Sequence, residues 1–253
     1  MTRPAAVAGL FYPDDPVELG TLVDGFLAAA AAAAPARAYV VPHAGLRYSG
    51  RTAAYVYASL GPVERVVLIG PSHRVPLAGA AVPVSREWST PLGPSLVDSE
   101  GAWALVDAGH AYADDRPHSV EHAIEVQLPF LRRVRPDAPI LPVAIGVSTV
   151  DDVAALVAAV ATPGTIVLCS TDLSHYLDED EAREQDDRTS RAILDLAADR
   201  VGPRDACGLY ALRGLLAWAA RQDLVVEQLY RSTSADTTGD RARVVGYGAF
   251  ALR

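Results

Sequence analysis

The sequence predicts an α/β fold, with a central, mostly parallel sheet flanked by helices. Three short runs, 38–41, 65–69 and 165–169, are rich in β-branched residues and lack apolar–polar alternation, which is typical of strands buried on both faces of a parallel sheet. Segments with helical periodicity separate these runs, as in βαβ units. Half of the 253 residues are apolar and no linker or internal repeat is visible, so we expect a single domain over 1–253.

The N-terminal part predicts an arm, a helix and a βαβ unit. Residues 3–13 are rich in proline and glycine, which favours an ordered arm without a long element. A helix is expected over 16–34, because Pro16 suits a first helical position and the alanines at its end have the highest helix propensity. The unit that follows consists of a strand at 38–41, a helix at 50–60 capped by Ser49, and a strand at 65–69.

The rest of the chain predicts further strands and helices and a final antiparallel pair. The polar loop 114–122 turns into a helix for which Ser119 is the expected N-cap. Two alternating runs, 224–231 and 243–252, favour antiparallel strands, and the polar loop 232–240 between them is expected to be mobile. The other predicted elements are a strand at 79–84, helices at 97–109, 150–161 and 178–200, strands at 140–145 and 165–169, and a helix that starts at Pro203.

Charge and sequence motifs exclude several classes of protein. A net charge of -9 and a pI near 5.1 argue against nucleic acid or an anionic membrane surface as the main partner, because either would need a basic face. No signal peptide and no run of about 18 apolar residues is visible, so we expect a cytoplasmic protein. Dinucleotide, P-loop and H-E-x-x-H metalloprotease motifs are absent, and the chain contains no lysine.

Three of the six histidines follow buried strands. His43, His73 and His175 come just after the predicted strands at 38–41, 65–69 and 165–169. A lone histidine at a strand end more often bonds a backbone group than a metal. Neighbouring strands lie about 4.8 Å apart, however, and the carboxyl ends of parallel strands form the ligand crevice of α/β proteins. The pattern therefore predicts a metal site, with His43 and His73 as the better pair.

The two cysteines, Cys169 and Cys207, are too few for a disulfide framework and are expected to be thiols. Cys207 lies in or near the first turn of the predicted helix after Pro203, where the helix dipole lowers a thiol pKa and favours the thiolate that metals bind. Burial as a small apolar residue is the alternative for Cys207, and is expected for Cys169. Asp172 either caps a turn or orients a histidine and moves a proton.

The remaining histidines carry weaker signals. His118 and His122 lie in a loop with two carboxylates, which either caps a helix or closes over a site. His110 has no polar neighbours of this kind and is expected on the surface.

Six motifs run in order through the chain: Arg3–Tyr12 (RPAAVAGLFY), Pro42–Gly45 (PHAG), Gly70–His73 (GPSH), Thr90–Gly93 (TPLG), Glu121–Pro129 (EHAIEVQLP) and Ser170–His175 (STDLSH). Together they resemble the Memo family, called AmmeMemoRadiSam system protein B in microbes. The resemblance implies a fold similar to class III extradiol ring-cleaving dioxygenases, whose non-haem iron is held by two histidines and a carboxylate. It also implies a functional link to a radical SAM protein and an AMMECR-type protein.

The resemblance further implies a ligand set in which a cysteine replaces the carboxylate. The ligands are then His43, His73 and Cys207, with Asp172 and His175 as catalytic groups in the same pocket. This chain departs from the family pattern after the glutamate of the Glu121 segment, where it has Gln127 in place of a histidine.

One iron or copper ion per chain is the expected cofactor, since thiolate and imidazole suit copper(I) and the relation to dioxygenases favours iron(II). The leading hypothesis is a metal-dependent redox protein or oxygenase acting on a small molecule. The alternative is a binding protein that uses a vestigial enzyme pocket for a phosphorylated peptide or for copper. A zinc hydrolase is a weaker third hypothesis, because a thiolate ligand and the resemblance both favour redox chemistry.

Overall fold

A computed structural model describes residues 1–253. Its twelve strands form a central sheet of nine strands and a separate sheet of three. In chain order the strands are β1 Thr2–Arg3, β2 Ala38–Val41, β3 Arg65–Pro71, β4 Ala80–Val82, β5 Glu87–Trp88, β6 Ser95–Leu96, β7 Tyr112–Ala113, β8 Ile140–Ile145, β9 Thr165–Ser170, β10 His175–Leu177, β11 Val226–Thr233 and β12 Val244–Leu252. The helices are α1 Pro16–Ala29, α2 Leu46–Ala58, α3 Ser99–Asp107, α4 Arg116–Ser119, α5 Leu128–Val134, α6 Val150–Val160, α7 Glu179–Leu194, α8 Leu209–Arg221 and α9 Ala235–Thr238. Two 3₁₀ turns lie at Glu125–Gln127 and Ala198–Arg200.

The middle of the large sheet is parallel and its flanks are mostly antiparallel. Strands β2, β9, β3 and β8 run parallel in that order. Strand β4 joins β8 and strand β12 joins β2, both antiparallel, and β11 and β10 pair with β12. The predicted α/β architecture is confirmed. Because β9 lies between β2 and β3, the carboxyl ends of three strands meet at one edge of the sheet.

Alternate residues of the central strands enter two separate apolar clusters, one on each face of the sheet. Val40 and Val67 belong to the cluster that includes residues of α3, α6, α7 and α8. Their chain neighbours Tyr39 and Leu68 belong to the cluster that includes residues of α1, α2 and α5. Successive side chains of a strand point to opposite faces, so both faces are covered and the strands need no polar alternation.

The alanine tract after α1 is not helical, contrary to the prediction of a helix to residue 34. Helix α1 ends at Ala29, before most of the tract. Pro35 disfavours helical geometry at the residue before it. Tertiary hydrogen bonds also hold this backbone, because Ala33 N donates to Ser59 Oγ and the Arg253 guanidinium donates to Ala34 O. Long-range bonds therefore outweigh the local propensity of alanine.

Two predicted N-caps are wrong. Helix α2 begins at Leu46 with Gly45 as N-cap, and Ser49 lies inside the helix with its hydroxyl donated to Ala44 O. Ser119 is the last residue of the one-turn helix α4 rather than the start of a longer helix. The helix expected after it is reduced to a 3₁₀ turn and α5, because Glu121 and Glu125 accept hydrogen bonds from distant parts of the chain.

The C-terminal elements differ from the prediction mainly in their limits. Helix α7 ends at Leu194, before the predicted residue 200, and α8 starts only at Leu209, so the segment from Pro203 to Cys207 is not helical. The antiparallel pair β11–β12 is confirmed. The loop expected at 232–240 is partly ordered, since it contains the end of β11 and the short α9. No helix combines the length and the apolarity that crossing a bilayer requires.

Candidate metal centre

A cleft of about 1040 Å³ opens where the carboxyl ends of β2, β9 and β3 meet. His43 enters this cleft after β2, His73 after β3, and Asp172 after β9. The other site residues that line it are His122, His175 and Cys207. The sequence-predicted ligands and both predicted catalytic residues therefore lie around one cavity.

His43 is buried, and its hydrogen bonds determine its tautomer. The Ser170 hydroxyl donates to Ala123 O at 2.6 Å, so its only hydrogen is used there. The 2.9 Å contact between His43 Nδ1 and Ser170 Oγ is then donated by the ring, which leaves Nε2 without a proton. Burial, with the charges of His73 and His122, lowers the pKa of His43 well below its usual value. A neutral imidazole with a free Nε2 is the form that binds metal.

Gln127 supports this arrangement from below. Its Nε2 donates to Pro42 O at 2.9 Å and to Ser170 Oγ at 2.8 Å, while its Oε1 accepts from Tyr57 OH at 2.7 Å. The position where the family resemblance leads one to expect a histidine is thus a fully hydrogen-bonded glutamine that holds Ser170 against His43. The sequence pattern contained no signal for this role.

His73 is oriented by a buried carboxylate. Its ring Nδ1 lies 2.9 Å from Glu121 Oε1, and its backbone N–H donates to Glu121 Oε2 at 2.5 Å. Burial alone would raise the pKa of Glu121, but its contacts with His122 and His73 outweigh burial and hold that pKa well below its usual range. An ionised Glu121 accepts the Nδ1 proton of His73, so Nε2 is the unprotonated ring atom, as in carboxylate–histidine–metal arrangements.

His122 completes a cluster of three imidazoles. One ring nitrogen each of His43, His73 and His122 lies within 4.8 Å of the others. The His122 ring stacks on that of His73 with centroids 4.7 Å apart, and Phe11 of the N-terminal arm contacts its ring at 4.5 Å. His122 Nδ1 is buried without a hydrogen bond, since Glu121 Oε1 at 3.1 Å lies outside hydrogen-bond geometry. His122, whose signal in the sequence was weak, is therefore part of the histidine cluster.

Cys207 lies next to the cluster, in the non-helical segment before α8. Its Sγ is 3.2 Å from His43 Nε2 and accepts from the Asp172 backbone N–H, also at 3.2 Å. The expectation of a lowered thiol pKa is not met, because burial and the Asp172 carboxylate raise the pKa of Cys207 to about 12. The thiol can donate its proton to the free Nε2 of His43, and a bound metal ion would replace that proton and favour the thiolate.

Asp172 and His175 face the same cleft, and each uses one of its two polar side-chain atoms in hydrogen bonds to the backbone. Asp172 Oδ1 accepts from the backbone N–H groups of His43 at 2.7 Å and Ala44 at 3.2 Å, and burial raises the Asp172 pKa. The carboxylate thus holds the turn that carries His43. His175 Nδ1 lies 2.8 Å from Leu173 O, a group that only accepts, so Nδ1 carries the proton and Nε2 is free. His175 lines the cleft but is outside the three-histidine cluster.

The donor set fits a metal ion. Three imidazoles lie together, the Cys207 thiol contacts one of them, and a serine and a carboxylate fix the orientations of the His43 and His73 rings. Imidazole and thiolate are the ligands of zinc, copper and iron rather than of magnesium or calcium.

The other candidates of the sequence are elsewhere. His118 is buried between the arm and β4, with Nε2 at 3.1 Å from Ala81 O, and burial lowers its pKa to about 4. His110 follows α3, outside the cluster. Cys169 is fully buried in β9, and burial raises the pKa of its thiol. These three residues have structural surroundings only.

Comparisons with known proteins agree on the family. A family model described as Memo-like protein matches residues 3–251. MEMO1 family proteins of Thermoplasma acidophilum and Methanosarcina barkeri are 35% and 38% identical to the chain, each over 98% of both sequences. A MEMO1 family protein of Aquifex aeolicus is 34% identical over 97% of both sequences.

A solved structure shares the fold at low sequence identity. It is that of an uncharacterized protein of Escherichia coli, with a TM-score of 0.60 and 13% identity, covering 85% of this chain and 98% of that one. At this identity the similarity concerns the fold alone. From the family model and the full-length relatives we conclude that the chain belongs to the Memo-like protein family.

Proposed function

We propose that this protein is a metal-dependent oxidoreductase of the oxygenase type that acts on a small-molecule substrate with one iron or copper ion per chain. The observation that carries the proposal is the convergence of imidazole nitrogens from three separate chain segments, with the rings of His43 and His73 oriented from behind by Ser170 and Glu121. His43 and His73 are two of the ligands. Cys207 is the proposed third, with His122 as the competing donor.

Thiolate and imidazole suit zinc as well as iron and copper, and it is the resemblance to the dioxygenases that favours a redox metal as the resident ion. Iron(II) or copper(I) bound here would supply one-electron chemistry and a place for O2 or substrate. The large cleft leaves room for both beside the ligands. Cys207 and His43 are in direct contact, so the site contains one soft and one intermediate donor at bonding proximity.

Asp172 and His175 are the proposed proton-transfer groups. The unprotonated His175 Nε2 can accept a proton from a substrate hydroxyl at the cleft wall. Asp172 Oδ1 is occupied by two backbone N–H groups, so Oδ2 is the oxygen that can bind or exchange a proton with a ligand. Both groups lie within a cleft also lined by Tyr247 and Phe11, whose rings exclude water from part of the wall.

Metal analysis tests the site. Protein purified without oxygen is expected to contain up to one iron or copper per chain, and His43→Ala and His73→Ala to lose it. His110→Ala is the matched control, because this histidine lies outside the cluster. Unchanged metal content in both ligand variants would overturn the proposal.

Cobalt substitution identifies the third ligand. If Cys207 binds the metal, the cobalt(II) protein has a sulfur-to-metal charge-transfer band in the near ultraviolet that is lost in Cys207→Ser and kept in His122→Ala. Absence of this band in the unsubstituted cobalt protein, with cobalt binding lost in His122→Ala and kept in Cys207→Ser, assigns the third position to His122. Both residues line the cleft and are partly exposed, so we expect both variants to keep the fold.

Oxygen consumption tests the reaction. Turnover is expected with some member of a panel of catechols and related phenols, and loss of turnover with retained metal in His175→Gln would support its role in proton transfer. No oxygen consumption by the metal-loaded protein across the panel would count against an oxygenase.

A binding role is the second candidate function. The 3.2 Å contact between Cys207 Sγ and His43 Nε2 pairs a soft donor with an imidazole, which suits sequestration of copper(I). Tight copper(I) binding without turnover would favour this role, and capture of a phosphorylated peptide at the cleft would favour the peptide-binding form of it. A cytoplasmic location and a link to a radical SAM protein and an AMMECR-type protein stay predictions.

A further inference from the structure

Three arginines line the cleft without an acidic partner. Eleven of the 22 arginines form ion pairs with carboxylates, as expected in a chain with 31 acidic residues. Arg74, Arg204 and Arg243 line the cleft and form none, nor does any of their guanidinium groups donate a hydrogen bond. Unpaired cations gathered at one cavity of an acidic protein make a local positive field that attracts anions.

These arginines come from the same segments as the proposed metal ligands and catalytic groups. Arg74 directly follows His73, and Arg204 lies in the non-helical segment that leads to Cys207. Arg243 directly precedes β12, at the end of that strand that pairs with β10 and His175. The positive groups and the metal centre are therefore positioned by the same loops and strand ends and line the same cleft.

Tyr176 has a backbone conformation that distinguishes the cleft from the rest of the molecule. Only Tyr176, Leu196 and Asp223 have a positive φ among the non-glycine residues. Leu196 and Asp223 follow the C-caps of α7 and α8, where left-handed geometry is usual. Tyr176, with φ of 62°, lies instead inside β10, at a break in the pairing register between His175 and Leu177.

This bulge changes what the strand presents to the cleft. Successive residues of a regular strand point to opposite faces, but His175 and Tyr176 both line the cavity. Bulges re-aim side chains near active sites, and a non-glycine residue keeps left-handed geometry only where the surroundings enforce it. Tyr176 is 64% exposed, and the Arg243 guanidinium lies 5.1 Å from the centroid of its ring. An exposed aromatic surface and a cation are thus held side by side at the cleft.

We propose that the cleft binds an aromatic ligand carrying a carboxylate group, with Arg74, Arg204 and Arg243 as the anion subsite and Tyr176 as the stacking surface. This inference deepens the proposed function, because the ligand is a substrate only if the protein is the proposed oxygenase. Two carboxylates, Asp172 and Asp240, line the cleft beside the three arginines. The small surplus of positive charge matches one carboxylate better than a doubly charged phosphate.

A matched pair of probes tests the anion subsite. The probes are 3,4-dihydroxybenzoate and catechol, which differ only in the carboxylate, titrated by calorimetry into metal-free and metal-loaded full-length protein under nitrogen. The carboxylated probe is expected to bind about 10-fold more tightly, since a hydrogen bond to a charged group contributes at least this much. The preference is expected to shrink at high salt, because exposed charges are screened.

Variants locate the preference. Arg204→Gln and Arg243→Gln are each expected to reduce the preference for 3,4-dihydroxybenzoate, and the double variant to reduce it further than either single variant. Arg191→Gln is the control, because Arg191 is also exposed and unpaired but lies on α7 away from the cleft. Tyr176→Ala is expected to weaken both probes equally, and Tyr112→Ala, at another exposed tyrosine, to leave both unchanged.

Several results would overturn the inference. These are equal binding of the two probes, no detectable binding of 3,4-dihydroxybenzoate at millimolar concentration, and an unchanged preference in the double variant. A loss in Arg191→Gln as large as in the cleft variants would mean a general charge effect. Tighter binding of phenyl phosphate than of 3,4-dihydroxybenzoate would assign the subsite to phosphate. Binding is measured without oxygen, so the two proposals can fail separately: a carboxylate preference without oxygen consumption would count against the oxygenase and not against the anion subsite.

Discussion

Glu121 and Glu125 are both buried and lie four residues apart, but they bind different kinds of partner. Glu125 accepts from the Arg3 guanidinium, the backbone N–H groups of Ala6 and Val7, and Tyr12 OH at 2.6 Å. All of these donors belong to the N-terminal arm, so the hydrogen bonds of Glu125 are all made within the protein. Glu121 accepts from His73 and from the backbone N–H groups of His122 and Ala123. The rings of these two histidines belong to the cluster at the cleft.

The difference separates a structural carboxylate from a functional one. A fully satisfied buried network fixes one geometry, whereas a carboxylate behind two histidines orients donors for something outside the protein. The two networks meet at the arm, because Arg3 also donates to Glu121 O at 2.9 Å and Phe11 contacts the His122 ring. The arm held by Glu125 is thus one wall of the site that Glu121 organises.

Removing the Glu125 charge is expected to have the largest effect on stability. In Glu125→Gln the buried Arg3 guanidinium loses its counter-ion, and breaking one side of a buried pair costs about 3–5 kcal/mol. Urea unfolding of the metal-free protein measures it. Asp24→Asn, which breaks the exposed pair with Arg133, is the control and is expected to cost less than about 1 kcal/mol. Similar losses in both variants would contradict a structural role for Glu125.

Glu121→Gln is expected to act mainly on metal binding. The amide cannot hold the Nδ1 proton of His73 as a carboxylate does, and loss of such an outer partner weakens metal affinity about 10–100-fold. Competition with a chromogenic chelator measures the affinity, and Glu125→Gln is the comparison variant. If Glu125→Gln weakens metal binding more than Glu121→Gln does, the division between the two carboxylates is wrong.

Ser170→Ala is expected to weaken the metal about 10-fold, at the lower end of the range for outer partners. The substitution removes the acceptor of His43 Nδ1–H, so the ring is no longer confined to the tautomer with a free Nε2. Nitrogen NMR of the labelled histidine gives the tautomer directly in the metal-free protein. An unchanged His43 tautomer would refute the role of Ser170.

Tyr57→Phe is expected to have the smallest effect. It removes one buried hydrogen bond to Gln127 Oε1, worth about 0.5–1.5 kcal/mol, and leaves the two bonds of Gln127 Nε2 in place. Thermal unfolding measures the loss, and metal affinity is expected to stay within about 3-fold of the wild type, well under the Ser170 effect. A metal loss as large as in Ser170→Ala would show that Gln127 depends on Tyr57 for its orientation.

Local pattern was enough to predict the strands that carry the site. An apolar run that stops at a histidine is visible in the sequence, and burial on both faces of a parallel sheet requires such runs whatever the rest of the fold does. His43 and His73 could therefore be placed at one sheet edge without coordinates. Helix limits were less predictable, since tertiary hydrogen bonds, from Ala33 N to Ser59 Oγ and from Arg253 to Ala34 O, hold most of the alanine tract outside α1.

The composition of the site was decided by tertiary structure. His122 lies in a segment with no regular periodicity, and it reaches the cluster because Glu121 bonds His73, 48 residues away, while Glu125 bonds the arm. The Cys207 pKa is raised rather than lowered, because burial next to Asp172 outweighs the effect of a helix that starts two residues later. The sequence determined which residues end the buried strands, since that depends on neighbours in the chain. Which side chains share one cavity depends on contacts between distant segments, and only the folded chain decides those.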